Sequence, residues 1–463
     1  MSEPRTRKSA HAAPARAGRK RRSGGKGRGA PKVRRERSSL PEGPLDDFAG
    51  GAAVPRGPPR NGGIVRTVAA SRPLHIVMVG WEWPPNHSGG LGVHSFELSR
   101  ELTRLGHRIT FLTPFSGPFT PVDGVEFRYP GGPASRAQGA TLAAIDYPPA
   151  YWTGGTPGSP FVDATDGYNV WVSLLDGLGP VDIVHVHDWF GTVGGRTLAD
   201  RLGVPMVMSV HSTEYDRSLG HPWEHILYRE QYGIDAASRV IAVSRHLRQQ
   251  LIDRYHADPG KVRVIYNAVR PSGRLEKLDV AKRVVLYVGR LAVMKGVDTY
   301  LRAASRIAAS FPDVIFVVAG EGPEYNHLVQ LAAALGIGDR VMFLGKVTEE
   351  ERDLLLAGSS VFVLPSVVEP FGIAALEAMA AGVPTILSKT SGVAEVTSGA
   401  FTVDFWDADE FASRIAELLE YPTLRAAMGE QGRWEALREG WPERARETVG
   451  VYLEAMEARG RRP

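Results

Sequence analysis

Two glutamates eight residues apart, Glu369 and Glu377, stand in the stretch EPFGIAALEAMAAGVP, where a Pro-Phe-Gly turn leads into an apolar run. Pro370 suits the first turn of a helix, so the pattern predicts a helix that begins around residues 371–373. Eight helical residues span about 12 Å, whereas the carboxyl pair of a glycoside hydrolase needs roughly 5–9 Å. The spacing therefore favours carboxylates that bind hydroxyls on different parts of one extended ligand. A capping glutamate followed by a solvated one is the alternative.

Two cations, Arg290 and Lys295, lie in the stretch VGRLAVMKG, directly after a predicted strand. Ligands of open parallel sheets bind beyond the carboxyl ends of the strands, which is where this turn must lie. The planar fork of Arg and the point charge of Lys suit a diphosphate. Solvated surface cations are the alternative interpretation.

A glycine-rich loop, WEWPPNHSGGLG at residues 81–92, precedes a predicted helix. Gly89 and Gly90 allow a close backbone approach, and free N–H groups at a helix N-terminus can bind phosphate. The loop lacks both the G-x-G-x-x-G spacing and the Gly-Lys-Ser/Thr of a P-loop, so hydride transfer and ATP hydrolysis lose support. A plain tight connection is the alternative.

Several histidines end predicted strands: His211 closes PMVMSVH, and VHVHDW contains His185, His187 and Asp188. Imidazole and carboxylate are common metal ligands. However, His185 and His187 share one face of a buried strand, while Asp188 points elsewhere. We therefore interpret the group as a packed strand end and expect no metal site there.

The elements that must position these side chains follow from Leu74 onward, where short apolar runs alternate with amphipathic stretches. Such alternation is typical of parallel α/β sheets. A second series of runs begins near Arg283. The sequence thus predicts two Rossmann-like domains, residues 71–270 and 280–440, followed by a C-terminal helix and tail at 441–463. Facing sheets of this kind would form a cleft between their carboxyl edges.

Two stretches interrupt the alternation. Residues 131–160 are rich in Gly and Pro, which predicts a long excursion without regular structure. Apolar periodicity also stops at about residues 267–279, where Pro, Gly and charged residues predict the boundary between the domains.

Charge is unevenly spread along the 463 residues. Residues 1–70 hold 17 Lys and Arg against 5 Asp and Glu, whereas the rest of the chain holds 38 against 46. This basic tail has little to bury and is predicted to be disordered. It could contact nucleic acid or an anionic membrane nonspecifically, or be a solvated extension. The absence of cysteine excludes disulfides and thiolate chemistry. With no apolar run long enough for a transmembrane segment and no signal peptide, we expect a cytoplasmic protein.

Taken together, the E-x7-E motif of Glu369 and Glu377, preceded by Arg290 and Lys295, resembles that of GT-B retaining glycosyltransferases. This large group includes glycogen and starch synthases and many α-hexosyltransferases. The resemblance covers nearly the whole chain from Leu74 to the C-terminal helix and leaves the tail unmatched. The stretches WEWPPNHSGGLGVHSFELSREL and VHVHDWFG further resemble the glycogen synthase branch. The implied fold is GT-B, with two facing Rossmann-like domains.

The resemblance also implies roles for the charged residues. Arg290 and Lys295 would clamp the diphosphate of a nucleotide sugar, doing the work that a metal ion does in other enzymes. Glu369 would lie beside the transferred sugar. Glu377 would accept hydrogen bonds from the nucleotide ribose.

Further contacts are implied around the sugar. His211 would contact it near the reacting carbon, and Gly89 and Gly90 would close on the phosphates and the acceptor. Backbone amides would be offered to the sugar by Phe371, Gly372 and Ile373. Bacterial glycogen synthases usually carry Lys two residues before the glycine pair, where this chain has His87 and Ser88.

The implied activity is retaining transfer of a hexose, with ADP-glucose or UDP-glucose as donor and an α-glucan as acceptor, without a cofactor. One alternative is transfer to a lipid or cell-envelope acceptor, with the basic tail on an anionic membrane. Another is a nonspecific binder of nucleic acid or anionic surfaces that acts through the tail.

Overall fold

The computed structural model describes residues 70–86, 89–132, 160–270 and 282–460. These residues form two parallel sheets of the predicted kind, so the expected α/β class is confirmed. The basic tail, most of the predicted excursion at 131–160 and much of the predicted boundary at 267–279 lie outside the described residues, as do His87 and Ser88.

The N-terminal sheet has seven parallel strands in the described residues, in the order β3-β2-β1-β4-β5-β6-β7. The strands are β1 (His75–Val79), β2 (Arg108–Leu112), β3 (Val125–Arg128), β4 (Ile183–His187), β5 (Met206–Val210), β6 (Arg239–Ala242) and β7 (Val262–Val264). The helices are α1 (Gly90–Arg104), α2 (Pro160–Leu174), α3 (Thr192–Leu202), α4 (Glu214–Arg217), α5 (Glu224–Ala236) and α6 (Arg245–Tyr255).

The C-terminal sheet has six parallel strands in the described residues, in the order β10-β9-β8-β11-β12-β13. The strands are β8 (Arg283–Val288), β9 (Val314–Ala319), β10 (Val341–Gly345), β11 (Ser359–Leu364), β12 (Thr385–Ser388) and β13 (Ala400–Val403). The helices are α7 (Val297–Ile307), α8 (Tyr325–Ala334), α9 (Glu349–Gly358), α10 (Ile373–Ala380), α11 (Ala408–Glu420), α12 (Pro422–Leu437) and α13 (Trp441–Ala458), with 3-10 turns at Val293–Lys295 and Gly392–Glu395.

Strand β1 shows why the chain folds this way. All five of its residues are buried, as expected of a strand covered on both faces. Val77 and Val79 belong to one core cluster, whereas Ile76 and Met78 belong to a second on the opposite face. The alternation follows from the period of two along a strand. Two cores, one on each face, therefore hold the N-terminal sheet.

Helix α13 returns from the C-terminal domain to the N-terminal one. Trp441 and Tyr452 are buried in the same core cluster as Ile76 of β1. The Tyr452 hydroxyl lies 2.8 Å from Nδ1 of His185 in β4. The last helix thus covers one face of the first sheet and connects the two domains. None of the helices in the described ranges combines the length and apolar composition needed to cross a bilayer.

Both sheets reverse their strand order at the centre, between β1 and β4 and between β8 and β11. In doubly wound sheets this reversal opens a crevice beyond the carboxyl ends of the central strands, and ligands bind in it. The loops that leave these four strands carry the glycine-rich segment, Asp188, Arg290 and Glu369. The topology therefore brings together residues that are far apart in the sequence.

A pair of glycines lines the C-terminal crevice. Gly320 follows β9 with a φ of +150°, and a Cβ added there would clash with the carbonyl oxygen of Gly289, which follows β8. This φ is essentially restricted to glycine. The close backbone approach fixes how the loops after β8 and β9 leave the sheet.

We expect Gly320→Ala to destabilise the protein by roughly 2–6 kcal/mol, because it adds backbone strain to overpacking against a carbonyl group. Gly336→Ala is the matched control, since Gly336 has a φ of +72° but no atom within 4 Å of an added Cβ. It should cost only about 1–2 kcal/mol, the penalty of a left-handed residue. Urea unfolding of both variants measures the difference, and equal losses would contradict the close approach.

Candidate active site

An ion pair lies at the carboxyl edge of the C-terminal sheet. Lys295 Nζ is 2.6 Å from Oε2 of Glu369, and Ser366 Oγ donates to the same oxygen at 3.1 Å. The glutamate is only 7% exposed. One carboxylate oxygen thus receives two donors, which holds the group in one orientation at the mouth of the crevice.

The backbone explains why Lys295 reaches Glu369. Lys295 ends a 3-10 turn, and a Cβ added at the next residue, Gly296, would clash with the carbonyl oxygen of Pro365. The amide of Val367 donates to Met294 O at 2.9 Å. The loop after β8 is therefore pressed against the loop after β11, and the two charged side chains leave from adjacent backbone.

Arg290 lies in the same loop and is partly exposed. The hydroxyl of Tyr287, a buried residue of β8, donates to the Arg290 carbonyl oxygen at 2.9 Å. Burial raises the pKa of Tyr287, and the charge of Glu369 raises it further. The phenol therefore stays protonated and keeps donating this hydrogen bond, which fixes the backbone from which the guanidinium extends.

Helix α10 begins at Ile373, within the range predicted from the sequence. Gly372 precedes it with a φ of +108°, and Phe371 is buried. Across the cleft, a Cβ added at Gly90 would lie 3.1 Å from Cδ1 of Ile373, while one added at Gly89 would meet no atom within 4 Å. The N-termini of α1 and α10 therefore converge. Both carry unsatisfied N–H groups and partial positive charge, which favours an anion between them.

Glu377 lies within α10 and forms an ion pair at 2.9 Å with Arg352 Nη1 of α9. Burial raises the pKa of Glu377 to about 7, Arg352 opposes the rise, and Asp353 and Glu349 add to it. The carboxyl group is thus poised between its neutral and ionised forms. Sequence reasoning missed Arg352, because it stands in the acidic run EEERD, where no spacing marks it out.

At the carboxyl edge of the N-terminal sheet, His211 follows β5 and its amide donates to Oδ1 of Asp188 at 2.7 Å. His211 Nε2 is 3.3 Å from His187 Nδ1. Burial raises the pKa of Asp188 to about 6. Asp188 has a φ of +55°, an uncommon value for a residue other than glycine. It acts here as the anchor of the His211 backbone.

A further histidine, His94 of α1, packs against this group, with its ring centroid 4.4 Å from that of His211. Burial lowers the pKa of His94 and His187 well below the ordinary value and that of His211 to about 3. The three imidazoles are therefore neutral. His185 contacts the Tyr452 and Ser209 hydroxyls, both at 2.8 Å, as expected of a packed strand end. Sequence reasoning missed His94, although it stands four residues after Gly90.

Glu395 connects the two domains beside the site. Its Oε2 and Oε1 accept from the amides of Arg245 and His246, both at 2.8 Å, at the N-terminus of α6. The Tyr266 hydroxyl donates to Oε2 at 3.0 Å. A carboxylate suits the positive end of a helix dipole. This contact fixes the N-terminal domain against the turn Gly392–Glu395.

The structure thus places the predicted residues in three groups. Arg290, Lys295 and Glu369 lie in adjoining loops of the C-terminal sheet. Glu377 pairs with Arg352 further along α10. In the third group, Gly89 and Gly90 at the start of α1 lie beside the start of α10. His211, at the carboxyl edge of the N-terminal sheet, packs against His94 of α1. Cations, helix N-termini and carboxylates arranged in this way can bind a ligand that carries both phosphate and hydroxyl groups.

Comparison with known families identifies both domains. Residues 275–434 match the family model described as Glycosyl transferases group 1. Residues 88–272 match the model described as Glycosyltransferase Family 4. The two matches divide the chain where the two sheets divide it.

Three relatives align over most of their own length. An uncharacterized glycosyltransferase of Methanocaldococcus jannaschii is 29% identical, covering 84% of this chain and 100% of the relative. A D-inositol 3-phosphate glycosyltransferase of Catenulispora acidiphila is 28% identical, covering 84% and 96%. The glycogen synthase of Mycobacterium tuberculosis is 29% identical, covering 82% and 95%.

Solved structures share the fold. Sucrose-phosphate synthase from Thermosynechococcus elongatus superposes with a TM-score of 0.67 at 21% identity, covering 83% of this chain and all of that one. The catalytic domain of starch synthase IV from Arabidopsis thaliana, bound to ADP and acarbose, gives 0.62 at 17% identity with the same coverage. The chain thus has the GT-B fold of these structures, its two domains each match a glycosyltransferase family model, and a glycogen synthase is among its relatives.

Proposed function

We propose that this enzyme transfers glucose from ADP-glucose or UDP-glucose to a hydroxyl group of an α-glucan, with retention at the anomeric carbon. The observation that carries the proposal is the Lys295–Glu369 ion pair at the mouth of the C-terminal crevice, in a loop shared with Arg290. It joins a cation suited to phosphate with a carboxylate suited to sugar hydroxyls.

The leaving group is the first part of the proposed chemistry. Arg290, Lys295 and the converging N-termini of α1 and α10 would stabilise the charge that develops on the departing nucleoside diphosphate. Fixed protein groups cost no reorganisation at the moment of reaction. In this proposal they replace a divalent metal ion.

The sugar and ribose are held by different carboxylates. Glu369 would accept hydrogen bonds from the transferred hexose, close to the carbon that gains positive charge as the diphosphate leaves. Glu377 would accept from the ribose hydroxyls, and Arg352 would favour the ionised form that this needs. His211 would contact the hexose from the N-terminal side. Catalysis then comes from holding donor and acceptor together and excluding water as the domains close.

The acceptor is inferred from the relatives and from one feature of the N-terminal domain. Arg217, shortly after His211, forms ion pairs with Glu214 and Glu230, both buried. Its charge is therefore compensated within the protein, which favours a neutral glucan over a phosphorylated acceptor at this edge. The glycogen synthase relative supports the same choice.

A phosphorylated polyol is the second candidate acceptor. It is favoured by a relative named D-inositol 3-phosphate glycosyltransferase at 28% identity. Such an acceptor would need cations other than Arg217. Transfer to a lipid or cell-envelope acceptor and binding of anionic surfaces through the basic tail are further alternatives that an acceptor screen distinguishes.

The proposal is tested by assaying ADP-glucose and UDP-glucose with glycogen, maltooligosaccharides, inositol 3-phosphate and a lipid extract, each with and without EDTA. We expect transfer to the glucans, an α-linked product by NMR, and activity that persists in EDTA. Transfer only to inositol phosphate or lipid would overturn the acceptor. A β-linked product would overturn retention, and strict dependence on an added divalent metal would overturn the protein clamp.

Glu369→Gln should chiefly lower kcat, because the carboxylate acts where charge develops, whereas Glu377→Gln should chiefly weaken nucleotide binding. Loss of one charge-assisted contact costs about 1.5–3 kcal/mol, or roughly tenfold to a hundredfold in each parameter. Steady-state kinetics and calorimetric affinities for the nucleoside diphosphate separate the effects. The control is Glu420→Gln, an exposed residue at the end of α11. Normal kinetics in both site variants would favour plain helix-capping and surface roles.

Nucleotide affinity should rise with pH between 6 and 8. Burial raises the pKa of Glu377 to about 7, so the carboxyl is mostly protonated at pH 6 and mostly ionised at pH 8. The ionised form accepts more strongly from the ribose hydroxyls than the neutral form does, which predicts a change of up to about tenfold. Calorimetric titration of the nucleoside diphosphate across this range measures it.

Two variants isolate the contribution of Glu377 from the ionisation of the phosphates. In Glu377→Gln, only the dependence due to the ligand should remain. Arg352→Leu removes the cation that favours the carboxylate, so the midpoint should move to higher pH. Identical profiles in all three proteins would show that Glu377 does not control binding.

A further inference from the structure

In contrast to the expectation from the sequence that no metal binds at this strand end, we propose that His94, His187 and His211 form a binding site for one divalent transition-metal ion, such as Zn²⁺ or Co²⁺, at the carboxyl edge of the N-terminal sheet. The site joins α1, β4 and the end of β5. Metal binding by these residues does not depend on the proposed donor or acceptor.

The geometry comes from three elements that meet at one point. One ring nitrogen of each histidine lies within 4.8 Å of one from each of the others. The ring centroids of His94 and His187 are 5.6 Å apart, and those of His187 and His211 are also 5.6 Å apart. Three nitrogens bound to one tetrahedral Zn²⁺ at 2.0–2.1 Å lie about 3.3–3.4 Å from one another, so binding requires the three rings to move closer together.

Two nitrogen atoms of this group point to a ligand. Within the described part of the chain, Nε2 of His94 and Nε2 of His187 are buried without a hydrogen-bond partner. His94 and His187 are only 4% and 0% exposed. Buried polar atoms are rarely left unpaired in folded proteins. A bound cation would satisfy the lone pair of His94 Nε2 and would replace the 3.3 Å contact between His187 Nδ1 and His211 Nε2.

The surroundings of His94 resemble those of a metal ligand. Asn267 Oδ1 lies 2.7 Å from His94 Nδ1, so it accepts the Nδ1–H and leaves Nε2 as the bare nitrogen. Ligating histidines usually donate their second N–H to such an oxygen, which fixes the tautomer and the ring orientation. Asn267 thus presents Nε2 in the form that binds a metal.

The donor set selects the class of metal. Neutral imidazoles suit Zn²⁺, Co²⁺, Ni²⁺ and Cu²⁺, whereas Mg²⁺ and Ca²⁺ require oxygen ligands. His185 is excluded as a fourth ligand, since both of its ring nitrogens contact hydroxyl groups. His211 is partly exposed, so a water molecule or a sugar hydroxyl can fill the fourth position from the crevice. Structural zinc sites have four protein ligands, whereas three histidines leave one coordination position open to a water molecule or another ligand.

The site has a consequence for activity, and this consequence rests on the proposed function. His211 is the residue assigned to contact the transferred sugar. A metal ion on its imidazole would occupy that contact and add positive charge beside it. The ion is therefore expected to inhibit transfer in competition with the nucleotide sugar, and EDTA should relieve the inhibition.

The direct test uses the full chain without an affinity tag, freed of metal with EDTA and then dialysed. Co²⁺ is titrated and followed by its visible absorption, and Zn²⁺ is titrated by calorimetry. We expect one ion per chain with a tetrahedral cobalt spectrum. No saturable binding, or an octahedral spectrum alone, would overturn the proposal.

Variants assign the binding to the three histidines. His94→Gln should abolish the stoichiometric step, whereas His327→Gln, which replaces an exposed histidine of α8, should bind as the parent does. Asn267→Ala keeps all three ligands but removes the orienting oxygen, and it should weaken binding by roughly 10–100-fold. Near-UV circular dichroism checks that each variant is folded. If His94→Gln does not fold, Asn267→Ala and His211→Gln carry the test, and parent-like affinity in either would overturn the proposal.

Activity is measured separately, with the nucleotide-sugar concentration varied at fixed Zn²⁺. Competitive inhibition that is lost in Asn267→Ala supports placement of the ion beside the sugar. Stoichiometric binding without inhibition would overturn that placement but leave the metal site established. Absence of transferase activity would count against the proposed function, while the cobalt titration would still decide whether the metal binds.

Discussion

The Lys295–Glu369 ion pair is the interaction around which the C-terminal half of the site is organised. Glu369 is buried, and a buried charge is tolerated only when it is paired and hydrogen-bonded. The pairing requires the loops after β8 and β11 to touch, which in turn requires glycine at 296, where the backbone meets the Pro365 carbonyl. Helix α10 then starts a few residues later. The pairing of the Glu369 carboxylate therefore constrains the backbone that leads into α10. That helix carries both the N-terminal amides and Glu377.

Glu395 extends this constraint to the other domain. Its carboxylate binds the N-terminus of α6, and a Cβ added at Gly392 of the same turn would clash with the Pro370 carbonyl oxygen. The residue that follows Glu369 is therefore backed by a turn that is anchored to the N-terminal domain. Any movement between the domains must act on this contact. Movement between the domains would therefore also act on the loop of Glu369, which suits the proposed transfer between substrates bound to different domains.

Whether a feature of the fold or the site could be predicted from the sequence depended on how far apart in the chain the interacting residues lie. Buried strands and the start of α10 follow from local patterns, and both domains were predicted from them. β7, of three residues, is too short for its period to be recognised. Arg352 and His94 were missed because their partners, Glu377 and Asn267, lie 25 and 173 residues away, and no periodicity encodes a contact between two elements. The E-x7-E spacing identified the glutamates but not the groups that control their charge.

The two edges of the site differ in charge for a physical reason. On the C-terminal side, cations and helix N-termini converge where the proposed reaction accumulates negative charge on the diphosphate. On the N-terminal side, burial lowers the pKa of the histidines, so the imidazoles at the carboxyl edge of the sheet, near which the proposed sugar would gain positive charge, are neutral. A protonated imidazole there would oppose that charge, whereas a neutral one can still accept a hydrogen bond. The burial that keeps these rings neutral also leaves Nε2 of His94 and Nε2 of His187 without a hydrogen-bond partner. The burial that favours the proposed transfer is therefore also a condition of the proposed metal site.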